Sequence, residues 1–234
     1  MRIRHVAGRM LLVLLLAGLL AGLLRGNLGV SPSLRRPVHE LLAERLPVTL
    51  RGVGLGLACG WLMALSLAGP AALSRSPFFD RFGSALSGVF LCLPSALFAL
   101  LLIRAGGPGS LAIGFVVFPR LFRRTRKLLI EARDLPHVLM ARAKGAGPAS
   151  ILLRHVTAPT ASQLLSLAGV SVTMALSAAI PVEVLSNAQG AGQLLWLAAV
   201  GRDLPLLAVL TALAMAATLI ADSVARLGER PAGI

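Results

Sequence analysis

The sequence has few of the residues on which soluble enzymes and cysteine-rich proteins depend. Only 14% of its 234 residues are charged and 4% are aromatic, with no tyrosine and two cysteines. A soluble domain has about 25% charged residues, so the composition argues against a soluble globular protein. Cys59 and Cys92 lie in apolar runs without His or a carboxylate at ligand spacing. They are predicted to be buried apolar side chains, with no disulfide and no metal site.

The chain also lacks the short motifs of common catalytic and nucleotide-binding sites. It contains no Walker A, nucleophile-elbow, zinc-protease or paired-cysteine pattern, each of which needs fixed residue types at fixed spacing. Its four histidines, at 5, 39, 137 and 155, are scattered in or beside predicted loops. We therefore predict that this chain is not an enzyme and binds no cofactor.

Long uncharged apolar runs take the place of these motifs. Hydrophobic residues make up 56% of the chain, and the mean hydropathy is +0.83. A transmembrane helix needs about 20 mostly apolar residues, and the uncharged runs lie at 10–24, 52–74, 82–103, 105–119, 156–182 and 204–221. They predict an all-α polytopic membrane protein of about six transmembrane helices. The first run resembles a signal peptide, but no clear cleavage site follows it, so we predict that it is retained.

The basic residues predict the orientation in the membrane. The net charge is +14, and the bases cluster beside apolar runs, which argues against nucleic acid as a partner. With a cytoplasmic N-terminus, 16 of the 23 Lys and Arg residues fall in inside segments. This asymmetry follows the positive-inside rule and places both termini in the cytoplasm.

Residues 135–159 form the one long polar, basic segment within the apolar chain. Pro136 can begin a helix, and Gly145 and Gly147 can end it. The pattern predicts a short surface helix that offers Val138, Ala141 and Arg142 on one face, followed by helix up to Pro159. Two interpretations remain open on the residues alone: the helix docks on a partner protein, or it rests on lipid headgroups.

Other features of the spans also allow two interpretations. Gly52, Gly56 and Gly60 share one helix face, which is typical of close packing within the chain or of a subunit interface or pore wall. Pro94 predicts a kink in the third span, and the fifth span is predicted to break near Pro181. A short amphipathic helix is predicted to precede the second span. Glu183 and Asp222 lie near span ends and are expected to reach the interface, where they cap helices or contact substrate.

Three segments carry a resemblance to a known family. ARAKGAGPASILLRHVTAPT at 141–160 resembles the signature loop of permeases of binding-protein-dependent ABC transporters. RRPVHELLAERLPVTL at 35–50 and IPVEVLSNAQGAGQLLWLAAVGRDLP at 180–205 resemble segments of the dipeptide, oligopeptide and nickel group. The resemblance covers about residues 34–227, in order and at consistent spacing. It departs at Pro136 and His137, where the family usually has an acidic residue and a Tyr.

The resemblance implies a role for particular residues. The short helix would be a coupling helix that docks on a separate ATPase through the segment His137, Val138, Met140, Ala141, Arg142, Ala143, Lys144 and Gly145. The extracytoplasmic segment before the last span would contain Glu183, Gly190, Gly192, Arg202 and Asp203. Implied partners are a second permease in a homo- or heterodimer, ABC ATPase subunits, an extracytoplasmic substrate-binding protein and membrane lipid, in a bacterial inner membrane.

The resemblance also implies an organisation and a function. Residues 1–30 would be an N-terminal transmembrane helix, 31–47 a short periplasmic or extracellular segment, 48–227 the permease core with its cytoplasmic loop at about 131–159, and 228–234 a cytoplasmic tail. The expected function is import of short peptides, driven by ATP hydrolysis in other subunits. The alternatives are uptake of nickel or a metal chelate, or a stand-alone membrane carrier or scaffold.

Overall fold

The fold is all-α, as the sequence predicts. The computed structural model describes residues 28–73 and 77–228 together with Gly18. The predicted first span, at 10–24, lies outside the described residues except for Gly18. The helices described are α1 (Val38–Leu73), α2 (Pro77–Cys92), α3 (Ser95–Arg104), α4 (Gly109–Arg133), α5 (Pro136–Ala143), α6 (Pro148–Ser150), α7 (Thr157–Leu185), α8 (Ala191–Val200) and α9 (Leu204–Gly228), with a π-helix (Ile151–Val156) between α6 and α7.

Several of these helices are long and apolar enough to cross a membrane. Among the described residues, the three that qualify are Val38–Ala72, Ile151–Ser186 and Leu204–Ser223. The count is four if α2 and α3, which meet at 102°, form one broken span. The predicted run at 105–119 forms the first half of α4, which continues as a basic helix to Arg133. A polytopic membrane protein is thus confirmed.

Prolines bend the chain in one place and not in others. The α2–α3 break falls at Leu93 and Pro94, as predicted. Pro47 lies inside α1, so the predicted amphipathic helix continues without a break into the second span as one 36-residue helix. Pro181 lies inside α7, which continues to Leu185, so the predicted break of the fifth span is wrong. A proline removes one donor, and a helix packed on its neighbours can continue past that loss.

The helix α4 is the centre of the bundle, because it contacts α1, α2, α3 and α7. Its side chains Val117, Phe118, Leu121 and Phe122 are fully buried. A second apolar cluster joins the start of α1 to α8 and the start of α9 through Val38, Leu41, Leu42, Leu194 and Leu206. The first cluster forms the core of the bundle around α4. We call the second cluster the outer cap, after the extracytoplasmic position that the sequence predicts for it. The cysteines do not form part of either: Cys59 is half-buried, and Cys92, contrary to the prediction, is exposed.

Glycines bring the backbones of α1 and α4 into direct contact. A Cβ on Gly56 would lie 2.8 Å from the carbonyl oxygen of Ser110, and one on Gly60 would lie 3.1 Å from that of Gly114. A Cβ on Gly114 would in turn lie 2.9 Å from the carbonyl oxygen of Gly56. Gly52 has no atom within 4 Å of its Cβ position. Two of the three predicted glycines therefore pack inside the chain.

This difference between glycines of one helix can be tested by adding one methyl group. We expect Gly56→Ala to lower the free energy of unfolding by about 1–3 kcal/mol, because the added carbon meets a backbone oxygen. The matched variant Gly52→Ala should leave it unchanged or raise it by up to about 1 kcal/mol, because alanine favours the helix. Thermal unfolding in detergent measures both. Equal losses in the two variants would contradict the packing described.

Candidate coupling loop and outer capping network

The short helix α5 begins and ends where the sequence predicts. Pro136 is at its start, and Gly145 follows it with φ +77°. The N–H of Gly145 donates to the carbonyl of Arg142 at 3.0 Å, and the N–H of Ala146 donates to that of Ala141 at 3.1 Å. This pair of bonds is the Schellman arrangement, which needs a left-handed residue at the position of Gly145. The glycine thereby fixes the direction in which the chain returns to the bundle.

The exposed face of α5 is not the predicted one. Val138 and Ala141 are buried, with exposed fractions of 0% and 7%, because α5 packs on the π-helix and on α4. Leu139 and Met140 are 53% and 63% exposed. The remaining predicted loop residues are outward or half-buried: His137, Ala143, Lys144 and Gly145 are exposed, and Arg142 is half-buried. A partner protein would therefore meet Leu139, Met140 and Ala143.

Side-chain hydrogen bonds tie α5 to the irregular start of the long helix α7. Pro159 has no N–H to offer the carbonyl of His155 four residues earlier, and Nε2 of His137 donates to this oxygen at 2.9 Å. Thr157 and Thr160 donate to the carbonyls of Leu153 and Val156 at 3.0 and 2.8 Å. These bonds occupy carbonyls of the π-helix, and the helix continues through Pro159. The predicted end of the helix at Pro159 is therefore wrong.

At the opposite end of α7, Glu183 caps the helix α8. Its carboxylate is 5% exposed and accepts hydrogen bonds from Thr49 Oγ1 at 2.6 Å and from the N–H groups of Gly192 and Gln193 at 2.8 and 3.1 Å. The Thr49 hydroxyl in turn accepts from the N–H of Ala191 at 2.7 Å. The expectation that Glu183 reaches the interface is thus wrong, and capping is the role observed. A helix N-terminus stabilises a carboxylate through its free N–H groups and its dipole.

The glycines of this segment leave room for the carboxylate. A Cβ on Gly190 would lie 2.2 Å from Glu183 Oε2, and a Cβ on Gly192 would lie 2.9 Å from it. The structure therefore brings together Glu183, Gly190 and Gly192, which are three of the five residues predicted for the extracytoplasmic segment. Thr49 lies 134 residues from Glu183 in the chain, and no local pattern in the sequence predicts their contact.

The other two predicted residues, Arg202 and Asp203, lie at the next helix start. Asp203 is 2% exposed and accepts from Ser33 Oγ at 2.7 Å, from the N–H of Leu206 at 3.2 Å and from the hydroxyl of Ser31. Burial by itself would raise the pKa of the Asp203 carboxyl, but the hydrogen bonds from Ser31, Ser33 and Leu206 lower it below its ordinary value. The exposed Arg202 does not join this network.

The sequence of this chain matches known proteins of one class. Residues 56–230 match the family model described as the binding-protein-dependent transport system inner membrane component. The chain belongs to this family of transport permeases. The match covers α2 to α9 and the second half of α1. The loop at 135–159 and the carboxylates of Glu183 and Asp203 lie within it, whereas their partners Thr49, Ser31 and Ser33 precede it.

Individual relatives are transport permeases by name. The chain is 26% identical over 205 residues to a protein of Brucella abortus (strain 2308) provisionally named a peptide transport system permease protein, with 76% of this chain and 65% of that protein covered. It is 26% identical over 200 residues to the glutathione transport system permease protein GsiC of Salmonella typhimurium (strain LT2), with 78% and 65% covered. The chain therefore matches just under two thirds of the length of these relatives.

Removal of the Glu183 carboxylate should destabilise the outer cap. Glu183→Ala leaves the N–H groups of Gly192 and Gln193 and the Thr49 hydroxyl without their acceptor in a buried place. We expect a loss of about 3 kcal/mol or more in the free energy of unfolding, since each orphaned buried donor costs about 1–3 kcal/mol. Thermal unfolding and protease cleavage between α7 and α8 measure the effect.

Glu44→Ala is the matched control for this experiment. Glu44 is half exposed and pairs with Arg36 at 2.6 Å, and exposed ion pairs contribute little. Its removal should change the unfolding midpoint much less than Glu183→Ala. If the two variants unfolded at the same temperature, Glu183 would not hold the outer cap together.

Proposed function

We propose that this chain is the transmembrane permease subunit of an ABC importer of peptide type. With a second permease it forms the translocation path for short peptides, and ATP hydrolysis in separate ATPase subunits drives transport. The observation that carries the proposal is the short surface helix α5, closed by Gly145 and exposing Leu139 and Met140, in a member of a transport permease family. Relatives named as peptide and glutathione transport permeases support a peptide as the solute.

The coupling step follows from how α5 is held. Its exposed apolar side chains, Leu139, Met140 and Ala143, fit a groove on an ATPase, as an amphipathic helix fits a groove on its partner. Its buried side chain Val138 and the hydrogen bond from His137 to the His155 carbonyl join it to the start of α7. A displacement of the ATPase groove would therefore move α5 and α7 together.

The remaining partners belong to the same proposal. A substrate-binding protein would deliver its solute to the outer end of the bundle, near the capped starts of α8 and α9. The basic second half of α4, with Arg123, Arg124 and Lys127, would lie on the cytoplasmic side, together with both termini. We place the chain in the bacterial inner membrane, and the family description, which names an inner membrane component, supports this.

One added charge on α5 tests the docking surface. We expect Met140→Glu to abolish co-purification of the ATPase and to reduce peptide uptake at least about tenfold, because a carboxylate would be buried in an apolar contact. The full transporter, with the permease, ATPase and binding-protein genes expressed together, is the system to use. Pull-down from detergent and uptake of a radiolabelled dipeptide are the two measurements.

Val200→Glu is the matched control, since Val200 is 67% exposed and Met140 is 63% exposed. It adds the same charge at the outer end, so the ATPase should still co-purify. Normal ATPase binding and normal uptake with Met140→Glu would refute the coupling role of α5. Uptake by this chain without any ATPase would instead support a stand-alone carrier.

A further inference from the structure

A half-open trough runs along α4 and α7, beside the end of α2 and, in its smaller part, beside α3. It consists of two cavities of about 520 Å³ and 890 Å³. Both cavities are lined by Leu91, Arg120, Val170 and Met174, so they meet at these residues. The smaller extends toward Pro181 and the larger toward Gln163. Each is in the size range of pockets that hold small molecules.

The face of α7 that lines the trough has polar residues among apolar ones. Gln163, Ser166, Thr173 and Ser177 are all among the lining residues, and with Val170 they recur at intervals of three and four residues. This spacing places them on one side of a helix. Polar side chains within a span face the protein interior or a water-filled cavity, because lipid gives them no partner. Ser166 already donates to the Ala225 carbonyl, and Ser177 to the Thr173 carbonyl. The side chains of Gln163 and Thr173 have no such partner among the described residues, which favours water in the trough.

Positive charge dominates the opposite wall, on α4. The trough is lined by Arg120, Arg123, Arg124 and Lys127, and by one acidic residue, Glu131. Lys127 lies 3.7 Å from the Glu131 carboxylate, and Arg123 donates to the Ser87 hydroxyl at 3.1 Å. Arg120 has no ion pair or side-chain hydrogen bond with any described residue. It also lies where the two cavities join.

The end of the trough toward Pro181 offers apolar surface as well. Phe90, Phe98 and Phe115 line the smaller cavity, and their ring centroids lie 5.0–5.4 Å apart. A solute that passes Arg120 thus meets an aromatic wall on one side and the hydroxyls of Thr173 and Ser177 on the other. This combination suits a molecule with a carboxylate and small organic side chains.

We infer that Arg120 is a specificity-determining residue that binds the carboxylate of an anionic or zwitterionic solute in the trough, such as the C-terminal carboxylate of a short peptide. The inference rests on the proposed function and names the chemical class of its substrate. A guanidinium presents several N–H donors to a carboxylate in a fixed geometry. The same charge repels a bare divalent cation, so the wall disfavours a metal ion travelling alone. A phospholipid phosphate has the same anionic chemistry and is the competing source.

The first experiment measures the charge of the trough without transport. Ser177→Cys is introduced after Cys59→Ala and Cys92→Ala, and the thiol is reacted with an anionic and with a cationic methanethiosulfonate of similar size in native membranes. We expect the anionic reagent to be favoured, and Arg120→Gln to lower the anionic-to-cationic rate ratio by roughly threefold or more. Arg104→Gln, which removes an equal charge outside the trough, should leave the ratio unchanged.

Two further arms make the labelling result decisive. Leu62 is an exposed apolar residue of α1, outside the trough. A cysteine introduced there by Leu62→Cys should react with neither reagent, which checks that the reaction requires the trough. The Ser177→Cys reaction is repeated in vesicles with and without anionic phospholipid. This comparison tests whether Arg120 binds a phospholipid phosphate instead of a solute carboxylate. A ratio that does not respond to Arg120→Gln, or that follows the lipid instead, overturns the inference. Arg120→Lys keeps the charge and should keep most of the ratio if Arg120→Gln does not fold.

The second experiment uses uptake by the complete transporter. Dialanine and its C-terminal amide are compared in wild type, Arg120→Gln, Arg120→Lys and Arg104→Gln. We expect Arg120→Gln to reduce the preference for the free acid by roughly tenfold, while the binding protein, which is unchanged, contributes equally in all variants. An unchanged preference overturns the inference. A wild type that transports no peptide, while the anionic-to-cationic labelling ratio still depends on Arg120, would refute peptide import. That result would leave standing the inference that Arg120 binds an anionic solute.

Discussion

Contact between the backbones of α1 and α4 is the constraint on which the other helix positions depend. Lipid provides no hydrophobic force to press two helices together, so close packing must hold them. Gly56, Gly60 and Gly114 allow the two helices to approach until carbonyl oxygens of one helix lie about 3 Å from where a Cβ of the other would be. With α4 fixed in this way, α2, α3 and α7 arrange themselves around its remaining faces. Both the trough and the seat of α5 are consequences of where α4 lies.

Buried carboxylates perform a related task at the outer end. Charge away from water is expensive, and the chain has only nine acidic residues, yet Glu183 and Asp203 are both buried. Each accepts N–H groups at the start of a helix and hydroxyls from residues near the start of the described chain. The ends of α7, α8 and α9 are thereby tied to α1 and to the turn before it, which fixes the outer cap as one unit.

Local chemistry explains which parts of this structure the sequence could predict. Pro136, Gly145 and Pro94 act through their own backbone geometry, and the boundaries of α5 and the break before α3 follow from them. Pro47 and Pro181 have the same chemistry without the same result, because packing on neighbouring helices keeps α1 and α7 continuous. The family resemblance at 141–160 supplied the class of protein, which the match over 56–230 confirms.

Contacts between distant residues account for the rest. The orientation of α5, with Val138 inward and Met140 outward, depends on where the π-helix and α4 lie, and one short helix does not encode this. The partners of Asp203, Ser31 and Ser33, are more than 160 residues away in the chain. Gly52 shares the spacing of Gly56 and Gly60 but projects beyond the part of α1 that α4 covers, so spacing alone could not separate it.

The unbroken helix α7 has a mechanical consequence. Its 29 residues span about 43 Å at 1.5 Å per residue, with the π-helix and α5 at one end and the Glu183 cap at the other. A stiff rod anchored at its outer end and pushed at its inner end swings and twists about that anchor. Under the proposed coupling, the largest displacement would occur near Gln163 and the smallest near Pro181. The inner mouth of the trough would open and close, while the outer mouth keeps nearly constant width.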